Sequence, residues 1–299
     1  MTSAAKAAGG RTGAATLVGL AAPGAAGLLL LFMGPALIVI GLAFTDWQFG
    51  ARSLHLVGLA NFVGLAADPV FLKALANTAL YALIVTPTTV VLGLAVALLI
   101  QGGTSLRSFY RTLHFLPYMA TLAAMSIAWE ALLHPTIGLL NHTLAAVGVS
   151  GANWLRDPAT VLPTLAAIGV WQNFGYAMVL FLAGLNAIPA DLYEAAALDG
   201  ADDLASRLRL VTLPQLAPIS LLIAVVTLLR ALSVFSNVAI LTQGGPGHGS
   251  EVLLYRLYVE SFDYFRAGYG AAIACAFLVI VGLLTALQVK LGERRAAAA

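Results

Sequence analysis

Six long apolar stretches, at about 17–44, 74–100, 113–133, 160–187, 215–241 and 268–290, leave this chain few folds to adopt. About 20 consecutive apolar residues cross the hydrocarbon core of a bilayer as one helix. Backbone groups in lipid must bond within their own segment, which makes each stretch helical. The reading is an all-α integral membrane protein with six transmembrane helices. Only 9% of its 299 residues are charged. A soluble domain carries roughly 25%, so this chain cannot cover a surface that faces water. Lys6 and Arg11 precede the first stretch as in a signal peptide, but its apolar run outlasts a signal core and reads as an uncleaved span.

Orientation follows from Lys and Arg, which favour the cytoplasmic side. With the N-terminus inside, Lys6, Arg11, Arg107, Arg111, Arg207, Arg209, Lys290, Arg294 and Arg295 are cytoplasmic. Arg52, Lys73, Arg156, Arg256 and Arg266 fall outside, and Arg230 lies within the fifth span. Both termini and the 188–214 loop are then expected in the cytoplasm. The domain reading is a tail at 1–16, a six-helix membrane domain at 17–290 and a second tail at 291–299. The outer loops, about 45–73, 134–159 and 242–267, are too short for separate domains. Their Trp47, Trp154, Tyr255, Tyr258 and Tyr264 suit an interfacial aromatic belt.

Several chemistries are excluded. Cys275 is the only cysteine, and His55, His114, His142 and His248 lack metal-ligand spacing. A net charge of +2 without a basic run gives nucleic acid no footing. The three lysines, Lys6, Lys73 and Lys290, sit in no G-x-x-x-x-G-K-[ST], so the chain is not itself a P-loop ATPase. No G-x-S-x-G, H-E-x-x-H or intramembrane carboxylate pair occurs. That weighs against an intramembrane enzyme and against the rival class, an ion-coupled secondary transporter. Glu130 and His134, four apart, could form a proton relay, but so near the interface they read as a solvated edge.

Residues 194–214, EAAALDGADDLASRLRLVTLP, break the apolar pattern. Asp191 and Glu194 form a D-x-x-E capping pattern after Pro189, and Gly200 ends that helix. Asp202 or Asp203 caps a second helix carrying Leu204, Leu208 and Val211, which Pro214 is expected to stop. The small side chains of Ala195, Ala196, Ala197 and Ala201 would admit another surface close to the backbone. Two readings stay open from the residues alone: a socket for a partner protein, or an amphipathic loop lying on the membrane.

Glu194-Ala195-Ala196, Asp199-Gly200-Ala201 and Thr212-Leu213-Pro214 resemble the EAA loop of inner-membrane permeases in binding-protein-dependent ABC importers. The stretch from Gly200 to Pro214 is one residue longer than that pattern, and Leu208 stands where an aromatic is common. Further fragments agree in order: Leu75-Ala76-Asn77-Thr78, Arg107 to Thr112 with Phe115-Leu116-Pro117, Ala183-Gly184-Leu185 with Ile188-Pro189, and Gly244-Gly245-Pro246. Together they resemble the maltose and glycerol-3-phosphate branch. The resemblance implies the type I importer permease fold and a place in the inner (cytoplasmic) membrane. It also implies a second permease, two ATPase subunits that hold ATP and Mg, and an extracytoplasmic binding protein or lipoprotein. No cofactor is implied in this chain. Coupling to the ATPase would fall to Glu194, Ala195, Ala196, Asp199, Gly200, Ala201, Leu213 and Pro214.

Polar groups inside spans are costly and mark cavities or helix contacts. Gly169, Gln172, Asn173 and Tyr176 share one face of the fourth span. Amides and phenols can bond sugar hydroxyls, and aromatic rings can stack on sugar faces; bonding between helices would use the same groups. Thr227, Arg230, Ser233 and Asn237 spread over roughly 120° of the fifth span. Arg230 requires water, a carboxylate, a carbonyl or an anionic cargo; a guanidinium forks onto phosphate, and a clamp to the partner permease would serve equally. The expected substrate pathway is Gln172, Asn173, Tyr176, Thr227, Arg230, Ser233 and Asn237, carrying a sugar or oligosaccharide, or else glycerol-3-phosphate or a glycerophosphodiester. Gly244 to Gly247 supply turn chemistry and are open to contact with a binding protein.

Overall fold

A computed structural model describes residues 19–103, 106–201 and 203–297. The expectations resting on Lys6, Arg11, the 1–16 tail and Asp202 lie outside these residues. Among the described residues five helices are long and apolar enough to cross a membrane, and six when one bent pair counts as a single span. The chain is a multi-pass membrane protein.

Two compact units are described in turn. The first comprises residues up to Leu65 together with Val259–Cys275. Its helix α1, Gly19–Leu42, buries none of its 18-residue apolar window. A π turn at Leu29–Met33 interrupts it. Beyond α1, Asn61 Nδ2 donates to the carbonyls of Ala43 (2.9 Å) and Thr45 (2.8 Å), which fixes the turn. Asp46 accepts from the His55 backbone amide at 2.8 Å and faces its ring at 3.0 Å. These bonds hold the Asp46 carboxyl below the usual carboxylate range. Glu260 is fully buried and pairs with Arg266, whose guanidinium also lies over the rings of Tyr264 and Tyr269.

The second unit holds Ala66–Tyr258 and the residues from Ala276 onward. Helix α2, Ala60–Ala67, belongs to the first unit up to Leu65, and α3 is Pro69–Gly102. Asp68 caps α3 by accepting from Val70 N at 2.8 Å, with Pro69 pre-set for the first turn. The span therefore starts five residues before the apolar run expected at 74. Helix α3 packs chiefly against α7, Val161–Asn186. Lipid offers no hydrophobic drive for helices to associate, so close approach matters. Gly93 supplies it: a Cβ there would lie 2.6 Å from Ala177 Cβ and 3.1 Å from Met178 N.

The third apolar stretch is not one straight helix. Helix α4, Arg107–Met119, and α5, Leu122–Leu132, meet at a bend of 100°. Pro117 cannot donate one turn before the break, and Ala120 and Thr121 are extended. A short helix α6, Leu139–Ala146, precedes α7, and α8, Ala190–Leu198, follows it. The segment leading into and through the fifth stretch is broken as well: α9 (Leu204–Arg207) and a π turn (Leu208–Thr212) precede it, and within it α10 (Leu213–Leu232), a break at 233–235 and α11 (Ser236–Leu241) follow. The expectation that Pro214 stops a helix is corrected. Leu213 N bonds Leu208 O across the wider turn, and Pro214 sits in the first turn of α10, where its missing N–H costs little. Helix α12 is Leu253–Tyr258, and α13, Ala267–Ala297, runs through most of the expected 291–299 tail.

Candidate functional site

A cleft of about 480 Å³ opens in the second unit among α3, the α4–α5 break, α7 and the α10–α11 break. Of the seven expected pathway residues, Gln172, Asn173, Arg230, Ser233 and Asn237 line it. Tyr81, Tyr118, Ala120, Val234, Phe235 and Ser236 join them. Unwound backbone inside a membrane is tolerated where it faces a cavity, and both helix breaks do so here. Asn173 Nδ2 donates to its own helix at Gly169 O (2.7 Å), which leaves its amide oxygen available.

Two of the seven are placed differently. Thr227 is 2% exposed and donates to Ile223 O at 2.7 Å, so its hydroxyl is satisfied within α10 and does not reach the cleft. Tyr176 lies behind the lining, stacked on Tyr118 at 4.9 Å and 15°. Arg230 sits over both rings, 4.8 Å from the centroid of Tyr118 and 5.5 Å from that of Tyr176, and donates to the Tyr118 hydroxyl. No carboxylate among the described residues lies within ion-pair distance of Arg230. Each cation–π contact contributes about 0.5–2 kcal/mol according to its desolvation. The charge is thus held by aromatic faces while one side of the guanidinium stays on the cleft. Sequence reasoning missed Tyr118, an aromatic inside a span one residue after Pro117. It missed Phe235 too, which Tyr255 and Tyr258 buttress.

Residues 188–214 fold as two helices joined by a tight turn. Gly200 adopts φ +87°. Its N–H bonds Ala197 O (3.1 Å) and that of Ala201 bonds Ala196 O (2.9 Å), which closes a Schellman motif. Asp203, as proposed, caps the second helix by accepting from Ser206 N at 3.0 Å. The Ser206 side chain first, and its backbone amide second, hold the Asp203 carboxyl below the usual range by hydrogen bonding. The expected Asp191/Glu194 capping box does not form: Pro189 is the N-cap, and no side chain caps α8. Asp191 falls in the first turn, where its charge meets the helix dipole. Tyr193 and Thr212 hydroxyls meet at 3.1 Å, and Arg207 Nε donates to Ala201 O at 3.3 Å, tying the halves together. Glu194, Ala195, Asp199, Gly200, Leu213 and Pro214 are exposed, Ala196 is half-buried, and Ala201 is buried. Leu198 and Leu204, 91% and 82% exposed, flank the Gly200 turn with an apolar surface.

Glu130 and His134 do not pair. His134 Nδ1 faces Thr136 N (3.3 Å), Thr136 Oγ1 (3.2 Å) and Ile137 N (3.3 Å), closing its own turn without Glu130.

Comparison with known proteins agrees with this architecture. Residues 61–296 match the family described as binding-protein-dependent transport system inner membrane component. The diacetylchitobiose uptake system permease protein NgcF of Streptomyces coelicolor is 32% identical, over 87% of this chain and 78% of the relative. The sn-glycerol-3-phosphate transport system permease protein UgpA of Agrobacterium fabrum is 32% identical, over 83% and 84%. In fold, the chain is similar to one in the crystal structure of a bacterial alginate ABC transporter in complex with an alginate pentasaccharide-bound periplasmic protein. The TM-score is 0.82 at 21% identity, covering 94% of this chain and 95% of the other. With its helical architecture and a family match over most of its length, this chain belongs to the inner membrane components of binding-protein-dependent transport systems.

Proposed function

We propose that the chain is one permease subunit of an ABC importer in the cytoplasmic membrane and forms half of the pathway for a sugar or oligosaccharide. The observation that carries this is the convergence of Gln172, Asn173, Ser233, Asn237, Arg230 and Tyr118 on one cleft at two helix breaks. Amides and hydroxyls both donate and accept, which matches a polyol, and Tyr118 offers a flat face to a sugar ring. Both termini and the 188–214 loop face the cytoplasm. There Glu194, Asp199 and the Gly200 turn, with the exposed Leu198 and Leu204, engage one of two ATPase subunits that hold ATP and Mg. A second permease completes the pathway, and an extracytoplasmic binding protein delivers cargo at the opposite end. A second reading, a phosphate-bearing polyol, is favoured by Arg230, which has no carboxylate partner among the described residues, and by the likeness to UgpA.

The test is uptake by the complete transporter, reconstituted with its binding protein in vesicles loaded with ATP. Labelled disaccharides and sn-glycerol-3-phosphate form the panel. Tyr118→Ala and Asn237→Ala should each reduce uptake about tenfold, the loss of roughly one charged or two neutral hydrogen bonds. Arg230→Gln separates the cargoes: it should abolish phosphate uptake and reduce neutral sugar uptake only modestly. Uptake driven by a pH or sodium gradient in ATP-free vesicles would refute the importer assignment.

A further inference from the structure

A second polar cleft, of about 440 Å³, lies at the end of the second unit opposite the 188–214 loop. Its walls come from three places: Glu130 near the end of α5, Arg156 in the loop before α7, and Thr242, Gln243, Gly245 and Pro246 in the turn after α11. We infer that this outer cleft is a second carbohydrate subsite, distinct from the tyrosine-lined cleft, which holds one sugar unit by its hydroxyls on the way in. The inference rests on the sugar reading above and adds a place to it.

Three observations support it. First, Glu130 and Arg156 line the same space without an ion pair between them among the described residues. A carboxylate and a guanidinium held apart present strong acceptors and donors to vicinal hydroxyls. His134 is engaged in its own turn, so Glu130 is not committed there.

Second, the walls are fixed before any ligand arrives. Ser250, wholly buried, donates within reach of Thr242 Oγ1 (2.7 Å) and Gly245 O (2.6 Å). Asn77, 4% exposed on α3, donates to His248 O and Glu251 O, both at 2.9 Å, and so anchors the same turn. On the facing side Trp154 Nε1 bonds Asn141 Oδ1 at 2.7 Å, and Asn141 Nδ2 bonds Ala152 O at 3.0 Å. Gln243 stands at φ +51°, a left-handed conformation that a glutamine adopts at a cost. Such outliers persist where the surroundings impose them, and the residue so held here lines the cleft.

Third, α11 joins the two clefts. Ser236 and Asn237 at its start line the inner one, while Ile240 and Leu241 at its end line the outer one. Six helical residues rise about 9 Å, so an oligosaccharide can meet both.

The complete transporter in nanodiscs, without its binding protein, is titrated with maltose, diacetylchitobiose, digalacturonate and sn-glycerol-3-phosphate. Intrinsic fluorescence of Trp129 and Trp154, sequence neighbours of Glu130 and Arg156, reads occupancy. At least one saccharide should give a saturable change. Glu130→Gln and Arg156→Gln should each weaken that titration about tenfold. Gln243→Gly relieves the backbone conformation, so it should weaken binding without lowering Tm. The subsite is overturned if no saccharide gives a saturable signal. It is also overturned if the three outer variants titrate like wild type, or if they reduce only binding-protein-stimulated uptake, which would mark a protein docking surface. Failure of the sugar reading is seen separately, as wild-type uptake of no saccharide in the panel.

Discussion

Gly200 gives the sharpest test of the coupling role proposed for the 188–214 loop, because backbone and side-chain effects predict opposite orders of substitution. At φ +87° an L-residue meets its own carbonyl, costing about 1–2 kcal/mol. A Cβ added at Gly200 meets nothing within 4 Å, so within the chain the cost is backbone strain alone. One to two kcal/mol shifts a local equilibrium about 5–30-fold. If coupling requires the Schellman turn formed by Gly200 and Ala201, Gly200→Ala should reduce coupled transport by that factor. Gly200→Val should do worse, because a β-branched residue tolerates this geometry least. Asparagine visits the left-handed region readily, so Gly200→Asn should stay within about threefold of wild type. The assay is uptake per ATP hydrolysed in reconstituted vesicles, with complex assembly checked by copurification. A partner that grips the glycine by size would reverse the series and hurt Asn more than Ala. Wild-type coupling in Gly200→Val would refute the role of the turn altogether.

Four further outcomes are expected. Thr227→Val should leave uptake within twofold of wild type, since the hydroxyl serves only Ile223 O; a tenfold loss would return it to the pathway. Gly93→Val should destabilise the chain by about 1–3 kcal/mol, seen as a lower Tm of the purified complex, because Ala177 and the Met178 backbone leave no room for the side chain. The Asp203 cap is formed by a carboxylate whose value is depressed by Ser206, so its contribution is present above the usual 3.8 and is lost as pH falls through the folded value. The protection factor of the Ser206 amide should accordingly be flat from pH 8 to pH 5 and fall below 3.8, whereas a fall between pH 7 and 5 would contradict this assignment. Deleting the exposed Leu210 should convert the π turn to an α turn without loss of Tm; if the wider turn serves coupling, transport falls while ATPase copurification persists, and unchanged transport would count against it.

The spans were legible because hydropathy and length are local properties, and the 160–187 expectation lies within a residue of Val161–Asn186. The bend at Ala120–Thr121 was not, because an apolar run reads the same whether straight or folded, although Pro117 stood as a local sign. In the 188–214 loop, Gly200 and Asp203 could be assigned because caps depend on a few adjacent residues. The Asp191/Glu194 box failed because Pro189, with its fixed φ, already sets the helix start two residues before Asp191. The extra residue between Gly200 and Pro214 has a structural counterpart in the π turn at Leu208–Thr212, since an i→i+5 turn absorbs one residue within a helix.

The pathway shows why face-sharing arguments hold for one span and weaken in the next. Gln172 and Asn173 lie on α7, which is unbroken from Val161 to Asn186, so a helical wheel drawn from sequence is valid there. The wheel drawn over Thr227–Asn237 assumes one continuous helix, yet α10 ends at Leu232 and α11 begins at Ser236. Extended or irregular residues between them reset the rotational phase. Ser233, Phe235 and Asn237 therefore reach one cleft through the break, while Thr227, within the regular part, bonds back to its own helix. Tyr118 could not be found by any wheel, because it meets Arg230 across 112 residues of sequence. The chemistry of this cleft thus depends on the two places where helical periodicity stops, at Ala120 and at Ser233–Phe235. Those are the positions at which reading by periodicity has least to say.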